Sequence, residues 1–290
     1  MSTGNAGLGK QTIQQLAKHR PARIYLAARD ETKGKNAIAS LQESLEGLSV
    51  DIRYLPLDLA SFKSIHAAAA QFTSECDRLD TLILNAGVMA QPLSMTEDGY
   101  EIQFGTNHVG HFLLTKLLLP TLQRTSEQED SDVRIISVAS MGWQMAPTPV
   151  STALSLMMSV DAQKEANRWT KYGISKAANI LFAAELARRY PRITAVSVHP
   201  GVIITGLYDA CKQMNPVIRY GLLAAKHFTT GEEAGALTHL WAAGTEKNKL
   251  TNGEYYTPVG VKGWKNPFAH DAEAGKKLWE WTDDQVHGSG

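Results

Sequence analysis

Cysteine is scarce in this sequence: its 290 residues include two, Cys76 and Cys211, far apart along the chain. Two thiols exclude a disulfide framework and suit a reducing compartment. Charge of one sign is also missing, since 29 Lys and Arg face 29 Asp and Glu. Without a basic excess there is little counterion release to drive binding to nucleic acid. No apolar run approaches the roughly 20 residues that span a bilayer. The longest candidate, His111 to Pro120, is interrupted by Thr115 and Lys116. Met1 to Arg20 carries glycines where a signal peptide has its apolar stretch. With 43% hydrophobic and 20% charged residues, intrinsic disorder is excluded as well. These absences predict a soluble, cytoplasmic protein with no nucleic-acid partner and no transmembrane segment.

What is present is an alternation. Aliphatic or β-branched runs at Arg23–Ala28, Val50–Leu55, Thr81–Leu84, Val133–Val138, Ile193–Val198 and Glu254–Thr257 predict strands. Helical patterns at Gly9–His19, Thr32–Leu45, Ser61–Glu75, His111–Gln123, Gly173–Arg189 and Glu232–Ala243 lie between them. Strand and helix in alternation imply right-handed βαβ crossovers and a doubly wound parallel sheet, an α/β fold with ligands at the carboxyl ends of the strands. No repeat, charge block or low-complexity linker divides the chain, so one domain over 1–290 is expected.

The segment Thr3-Gly4-Asn5-Ala6-Gly7-Leu8-Gly9-Lys10 opens into a helix. Such a turn either brings backbone N–H groups and a helix N-terminus to a pyrophosphate or is a plain glycine turn. The next predicted strand ends Ala27-Ala28-Arg29-Asp30, followed by Lys33. Alanine at that tip removes the carboxylate that would read a ribose diol. Arg29 and Lys33 either clamp a 2′-phosphate, favouring NADPH, or stand as solvated charges at a helix start. A dinucleotide fold also places a buried strand before its glycine turn, and here Met1 and Ser2 precede it. The expectation is therefore a sheet with its N-terminal strand truncated.

Tyr172-Gly173-Ile174-Ser175-Lys176 puts a phenol and an ammonium on one helix face, an arrangement that lowers a tyrosine pKa and makes a general acid. Ser140 follows the strand ending at Val138, where a hydroxyl meets a substrate oxygen. Asn85-Ala86-Gly87 follows the strand Thr81–Leu84, Asn107 lies at a helix start, and Pro200-Gly201, with Thr205 beyond, follows the strand ending at Val198.

Taken together, these motifs resemble the short-chain dehydrogenase/reductase family over nearly the whole chain. Leu26–Lys35 and the Asn107–Phe112 run are most similar to its retinol-dehydrogenase-like branch and fungal relatives. The resemblance implies a Rossmann-like fold and an NADP-dependent oxidoreductase. It makes Tyr172 the proton donor or acceptor and has Lys176 lower its pKa and bind the nicotinamide ribose. Ser140 would orient the substrate carbonyl, and Asn107 would hold a relay water. For the cofactor it implies Gly7, Leu8 and Gly9 at the pyrophosphate, and Asp58 and Leu59 at the adenine. Asn85, Ala86 and Gly87 would lie near the adenosine ribose, and Pro200, Gly201 and Thr205 over the carboxamide. The family's first glycine falls on Thr3, a departure from its pattern.

The substrate side is expected from Met141–Lys171, with Trp143, Met145, Met157, Met158 and Trp169, and from a lid over about 207–228. Adaptable apolar residues there suit a bulky hydrophobic carbonyl or alcohol, or simply pack on the body of the fold. A role in secondary metabolism accords with the fungal resemblance. His108 and His111 read as packing or capping residues rather than as two ligands of a metal. The tail Asp283–Gly290 reads as a frayed terminus. By resemblance, a homodimer or tetramer would form through Leu113, Leu117, Leu118, Phe182 and Leu186, which serve equally well as core. Two other readings stay open: a derivative that uses Ser, Tyr and Lys for isomerisation, cyclisation or elimination without redox chemistry, and an inactive chain.

Overall fold

A computed structural model describes residues 4–201, 231–263 and 266–287. The chain enters through helix α1 (Gly7–Ala17), then runs β1 (Ile24–Ala28), α2 (Glu31–Ser44), β2 (Ile52–Pro56), α3 (Phe62–Glu75) and β3 (Thr81–Leu84). A short α4 (Ile102–Phe104) passes through a π-turn, Gly105–Val109, into α5 (Gly110–Ser126). Then come β4 (Arg134–Val138), a 3-10 turn (Met141–Met145), α6 (Val150–Met157), α7 (Val160–Glu165), α8 (Arg168–Arg189) and β5 (Thr194–Val198). The last described elements are α9 (Glu232–Gly244), β6 (Tyr255–Thr257), β7 (Val261–Lys262), α10 (Pro267–His270) and α11 (Ala272–Val286).

Side chains set the helix starts. Asp30 accepts from Lys33 N at α2, Ser61 from Ser64 N at α3, and Asp271 from Ala274 N at α11. The Asn167 side chain accepts from Trp169 N and Thr170 N at the start of α8. Each satisfies a backbone donor that the first helical turn leaves without a partner.

The strands form two sheets rather than one. β1 and β2 pair in parallel, Ile24 opposite Ile52 through Ala28 opposite Pro56. The other sheet runs β3-β4-β5-β6-β7, parallel except for its last, antiparallel pair. Every residue of β4 and β5 is buried, as a strand covered on both faces requires. A doubly wound sheet has the order 3-2-1-4-5-6. β2-β1 matches its 3-2 part and β3-β4-β5 its 4-5-6 part, and no described strand stands between them. The backbone nearest that division is Gly4, whose N–H donates to Ala27 O at 3.2 Å. A β-carbon on Gly4 would meet Ile13 Cδ1 at 2.6 Å and Leu26 Cγ at 2.8 Å. Gly4 thus occupies a close-packed position at the start of the glycine turn, and Thr3, where the family's first glycine falls, lies outside the described residues.

One layer of core joins α3, α5, α8 and α11 to the sheet, from Tyr25 to Val286. The opposite layer sets Ile83, Ile136, Val138, Val196 and Val198 against Ala242 of α9 and Leu16 of α1. Both faces are covered, as expected for the α/β class.

One sequence expectation changes, and the structure bears on two that were open. The tail is not frayed from Asp283: α11 runs to Val286, which is buried, and Lys116 Nζ lies 2.9 Å from Asp283 Oδ1. The Met141–Lys171 connection contains α6 and α7, with Met157 in the core and Trp143 and Met158 packed against it. Leu113, Leu118, Phe182 and Leu186 are buried within the chain itself. Trp279 of α11 stacks on Phe182 at 5.8 Å and meets the Phe112 edge at 4.8 Å. These four residues serve as core, and Leu117 is partly buried against the same cluster. No described helix is long and apolar enough to cross a membrane.

Candidate active site

The site forms where β3, β4 and β5 end. Ser140, just past β4, caps the 3-10 turn and its Oγ accepts from Gly142 N at 3.0 Å. A β-carbon on Gly142 would stand 2.5 Å from the Tyr172 ring, and one on Gly173 would strike the backbone of Met145 and Ala146 at 2.6 Å. Two glycines thus seat the serine's turn directly against the tyrosine. That juxtaposition is unavailable to any side-chain-bearing residue at either position.

α8 carries Tyr172 and Lys176 one turn apart, both buried. The ammonium lies 5.9 Å from the Tyr172 ring centroid and donates to Val138 O at 2.8 Å. Burial pulls the Lys176 pKa down to about 8, because a charged amine loses its hydration there. Even so, the lysine is a cation at neutral pH, and a cation beside a phenol favours the phenolate.

Asn107 sits inside the π-turn and is fully buried. Its Nδ2 donates to Val88 O at 3.0 Å and to Ser175 Oγ at 2.9 Å. Its Oδ1 accepts from Val88 N at 2.8 Å. Ser175 in turn donates to Tyr172 O at 2.8 Å. The loop Asn85-Ala86-Gly87 is thereby brought onto the catalytic helix, with Gly87 facing both Asn107 and Lys176. Ser175 was not singled out from the sequence. Its spacing of three from Tyr172, on the same helix face, was the available signal.

The residues at the glycine turn fit a dinucleotide phosphate. Gly7 has φ +49° in the left-handed region, where glycine is favoured. Ala6 caps α1 without a side-chain hydrogen bond, so the N–H groups of Gly7, Leu8 and Gly9 form an uncapped first turn. Such a turn presents donors and a positive dipole end to an anion. Arg29 and Lys33 are exposed beyond β1. Lys33 already engages Asp30, its N–H bonded to Oδ1 at 2.9 Å and its ammonium 3.7 Å from Oδ2. Asp58 is half-buried and accepts from Ala60 N at 2.9 Å. Leu59 is buried, and its carbonyl would lie 2.3 Å from a β-carbon on Gly110. Pro200 and Gly201 are half-buried, with Gly201 at φ +97°. Thr205 and the expected lid over 207–228 lie outside the described residues.

Four buried histidines surround this region. His108 Nε2 bonds Thr282 Oγ1 at 3.0 Å, and His111 Nδ1 bonds Asn107 O at 3.0 Å. The two rings are thus engaged with different partners. His239 Nδ1 lies 3.1 Å from Thr12 Oγ1, and His199 follows β5. Burial holds the pKa of His108 down to about 3 and those of His111, His199 and His239 to about 4, so all four are neutral. Among the described residues, no three of His, Cys, Asp and Glu are grouped to hold a metal ion.

Comparison with known proteins agrees with this arrangement. The family model for short chain dehydrogenases matches residues 2–152. A short-chain dehydrogenase/reductase of the fungus Armillaria gallica is 36% identical over 285 residues, covering 97% of this chain and 87% of its own. Human retinol dehydrogenase 11 is 36% identical over 282 residues, covering 97% of this chain and 82% of its own. A crystal structure of an uncharacterised protein from Mycobacterium paratuberculosis superposes with a TM-score of 0.71 at 29% identity, covering 98% of this chain and 91% of that one. The chain is an oxidoreductase of the short-chain dehydrogenase/reductase family, and it belongs to the retinol-dehydrogenase-like part of that family.

Proposed function

We propose that the protein is an NADPH-dependent reductase that interconverts a carbonyl and an alcohol on a hydrophobic small molecule. The observation that carries the proposal is the convergence of Asn107, Ser140, Tyr172 and Lys176 at the ends of β3 and β4. Gly7, Leu8 and Gly9 would hold the pyrophosphate, and Arg29 the 2′-phosphate, since Lys33 is shared with Asp30. Asp58 and Leu59 would border the adenine, Asn85 to Gly87 the adenosine ribose, and Pro200, Gly201 and Thr205 the carboxamide. The cofactor, when bound, supplies the hydride.

The chain's own groups do the rest. Ser140 Oγ donates a hydrogen bond to the substrate oxygen and fixes the carbonyl plane. Tyr172 delivers a proton from its phenol to that oxygen as charge develops there. Lys176, fixed on Val138 O, stabilises the resulting phenolate by its charge. Asn107 holds the route by which that proton is replaced. Met141 and Met145 are exposed beside this turn, and their flexible thioethers suit a bulky apolar substrate. The fungal resemblance of the sequence accords with a setting in secondary metabolism, and the sequence reading supports a cytoplasmic one.

The test is reduction of hydrophobic ketones and aldehydes, followed by nicotinamide absorbance, in the parent and Tyr172→Phe. The parent should turn over with NADPH in preference to NADH. The variant should lose at least about 1,000-fold in kcat while keeping its melting temperature and cofactor binding. Full activity in Tyr172→Phe, or conversion without any nicotinamide, overturns the proposal.

A further inference from the structure

The π-turn that carries Asn107 needs something to keep it wide. Gly110 N–H returns to Gly105 O, five residues back rather than four. A π-turn of this kind is a rare single-turn excursion within an otherwise α-helical run, met mostly at functional sites. Val88 and Ser175 grip the Asn107 side chain, but side-chain bonds alone leave the backbone carbonyl to choose its own donor.

His111 supplies that donor. Its Nδ1 lies 3.0 Å from Asn107 O. A carbonyl oxygen only accepts, so the hydrogen is on Nδ1 and the ring is in the Nδ1–H tautomer. The ring is buried, on the first turn of α5, and Thr115 Oγ1 donates to the His111 carbonyl at 2.7 Å, securing the next turn. Asn107 is therefore held at both ends, by His111 on its backbone oxygen and by Val88 and Ser175 on its amide.

We propose that His111 is a positioning residue for the reaction, its Nδ1–H bond to the Asn107 carbonyl keeping the π-turn open so that the Asn107 side chain reaches Val88 and Ser175. The inference rests on the proposed role of Asn107 in catalysis, and it acts only through Asn107. Closing the turn to the α register shifts the residues by one, about 100° around the helix axis. That rotation takes the Asn107 amide away from Val88 and Ser175, and the serine bonded to Tyr172 O loses its second partner.

Three variants separate this role from simple packing. Asparagine at 111 puts an amide N–H where Nδ1–H stands, glutamine reaches too far to do so, and leucine fills the space without a donor. His111→Leu and His111→Gln should lower kcat by about 30-fold or more with KM changed less than about twofold, and His111→Asn should stay within about fivefold of the parent. Amide exchange at Val88, whose N–H donates to Asn107 Oδ1, gives a readout that needs no activity. It should quicken about tenfold or more in His111→Leu and His111→Gln and hold in His111→Asn. Equal impairment of all three variants, or unchanged Val88 exchange in His111→Gln, overturns the proposal. If His111→Leu fails to fold, the pair of amides decides. If the parent itself shows no nicotinamide-dependent turnover, the reductase reading fails, and Val88 exchange still decides whether His111 holds Asn107.

Discussion

A β-carbon on Gly87 would lie 3.2 Å from Asn107 Oδ1 and 3.4 Å from Lys176 Nζ. Contact that close is relieved only if a neighbour moves. Asn107 has little freedom to do so, with Val88 N, Val88 O and Ser175 Oγ all on its amide. Lys176 is tethered to Val138 O. We therefore expect Gly87→Ala to fold and to lose about tenfold in kcat, about 1.4 kcal/mol in the barrier. Gly87→Val should be inactive. Steady-state reduction assays with the melting temperature as control check this, and a fully active Gly87→Ala would show that the loop yields.

Trp279 ties the last helix to the catalytic one. It stacks on Phe182 at 5.8 Å, meets Phe112 at 4.8 Å, and lies under the Arg189 guanidinium, 4.8 Å from its ring. Only 4% of it is exposed. Trp279→Ala should cost about 3–5 kcal/mol in urea unfolding, the usual loss for an aromatic removed from a core. A loss under about 1 kcal/mol would mean that α11 is an accessory layer.

Much of this was legible in the sequence because it rests on local pattern. The six strands read from aliphatic runs match β1 to β6 to within two residues at each end. Tyr172 and Lys176 come together because helical spacing dictates it. What escaped depends on contacts between distant segments. Nothing in the sequence marks Gly142 and Gly173, yet they let the serine's turn meet the tyrosine ring. α11 goes unread, its last turn falling within the expected frayed end from Asp283, because its binding face, with Leu278, Trp279 and Val286, has meaning only against α5 and α8. The π-turn at Asn107 has no sequence signature, since His111 keeps the same spacing whether the turn is wide or not.

The four buried histidines make stability depend on acidity. In the unfolded chain each titrates near the ordinary 6.5, whereas in the fold His108 is held to about 3 and the other three to about 4. Above pH 6.5 both states are neutral and stability is complete. As pH falls below 6.5 the unfolded chain takes up protons that the folded one refuses. Each histidine then removes up to about 1.4 kcal/mol per pH unit. Four together match a typical stability of about 5–15 kcal/mol within roughly two or three pH units. Unfolding at 25 °C is therefore expected between about pH 4 and 5.5. Asp51 and Glu75, held below the usual carboxylate range by Arg23 and Tyr25 respectively, act at lower pH. Circular dichroism against pH checks this, and a native signal at pH 3.5 would refute it.

The two sheets part between β1 and β3, and no described strand pairs with the facing edge of either. The edge strands are buried there, with Leu26, Ile83 and Leu84 all at 2% exposure or less. Unpaired backbone groups in such a place cost about as much as lost hydrogen bonds. Gly4, donating to Ala27 O, already marks where a strand running parallel to β1 would arrive. Joining an apolar strand of about five residues ahead of Thr3 should therefore pair both edges and raise the melting temperature by several degrees. The same addition would fix the approach to Gly7, Leu8 and Gly9, so NADPH should bind at least about tenfold more tightly. Titration by nicotinamide fluorescence, with a strand of alternating lysine and glutamate as control, measures both effects. Equal stability and affinity in the apolar and charged versions would mean that side chains of α1 and β1 already close the division, leaving no room for a strand.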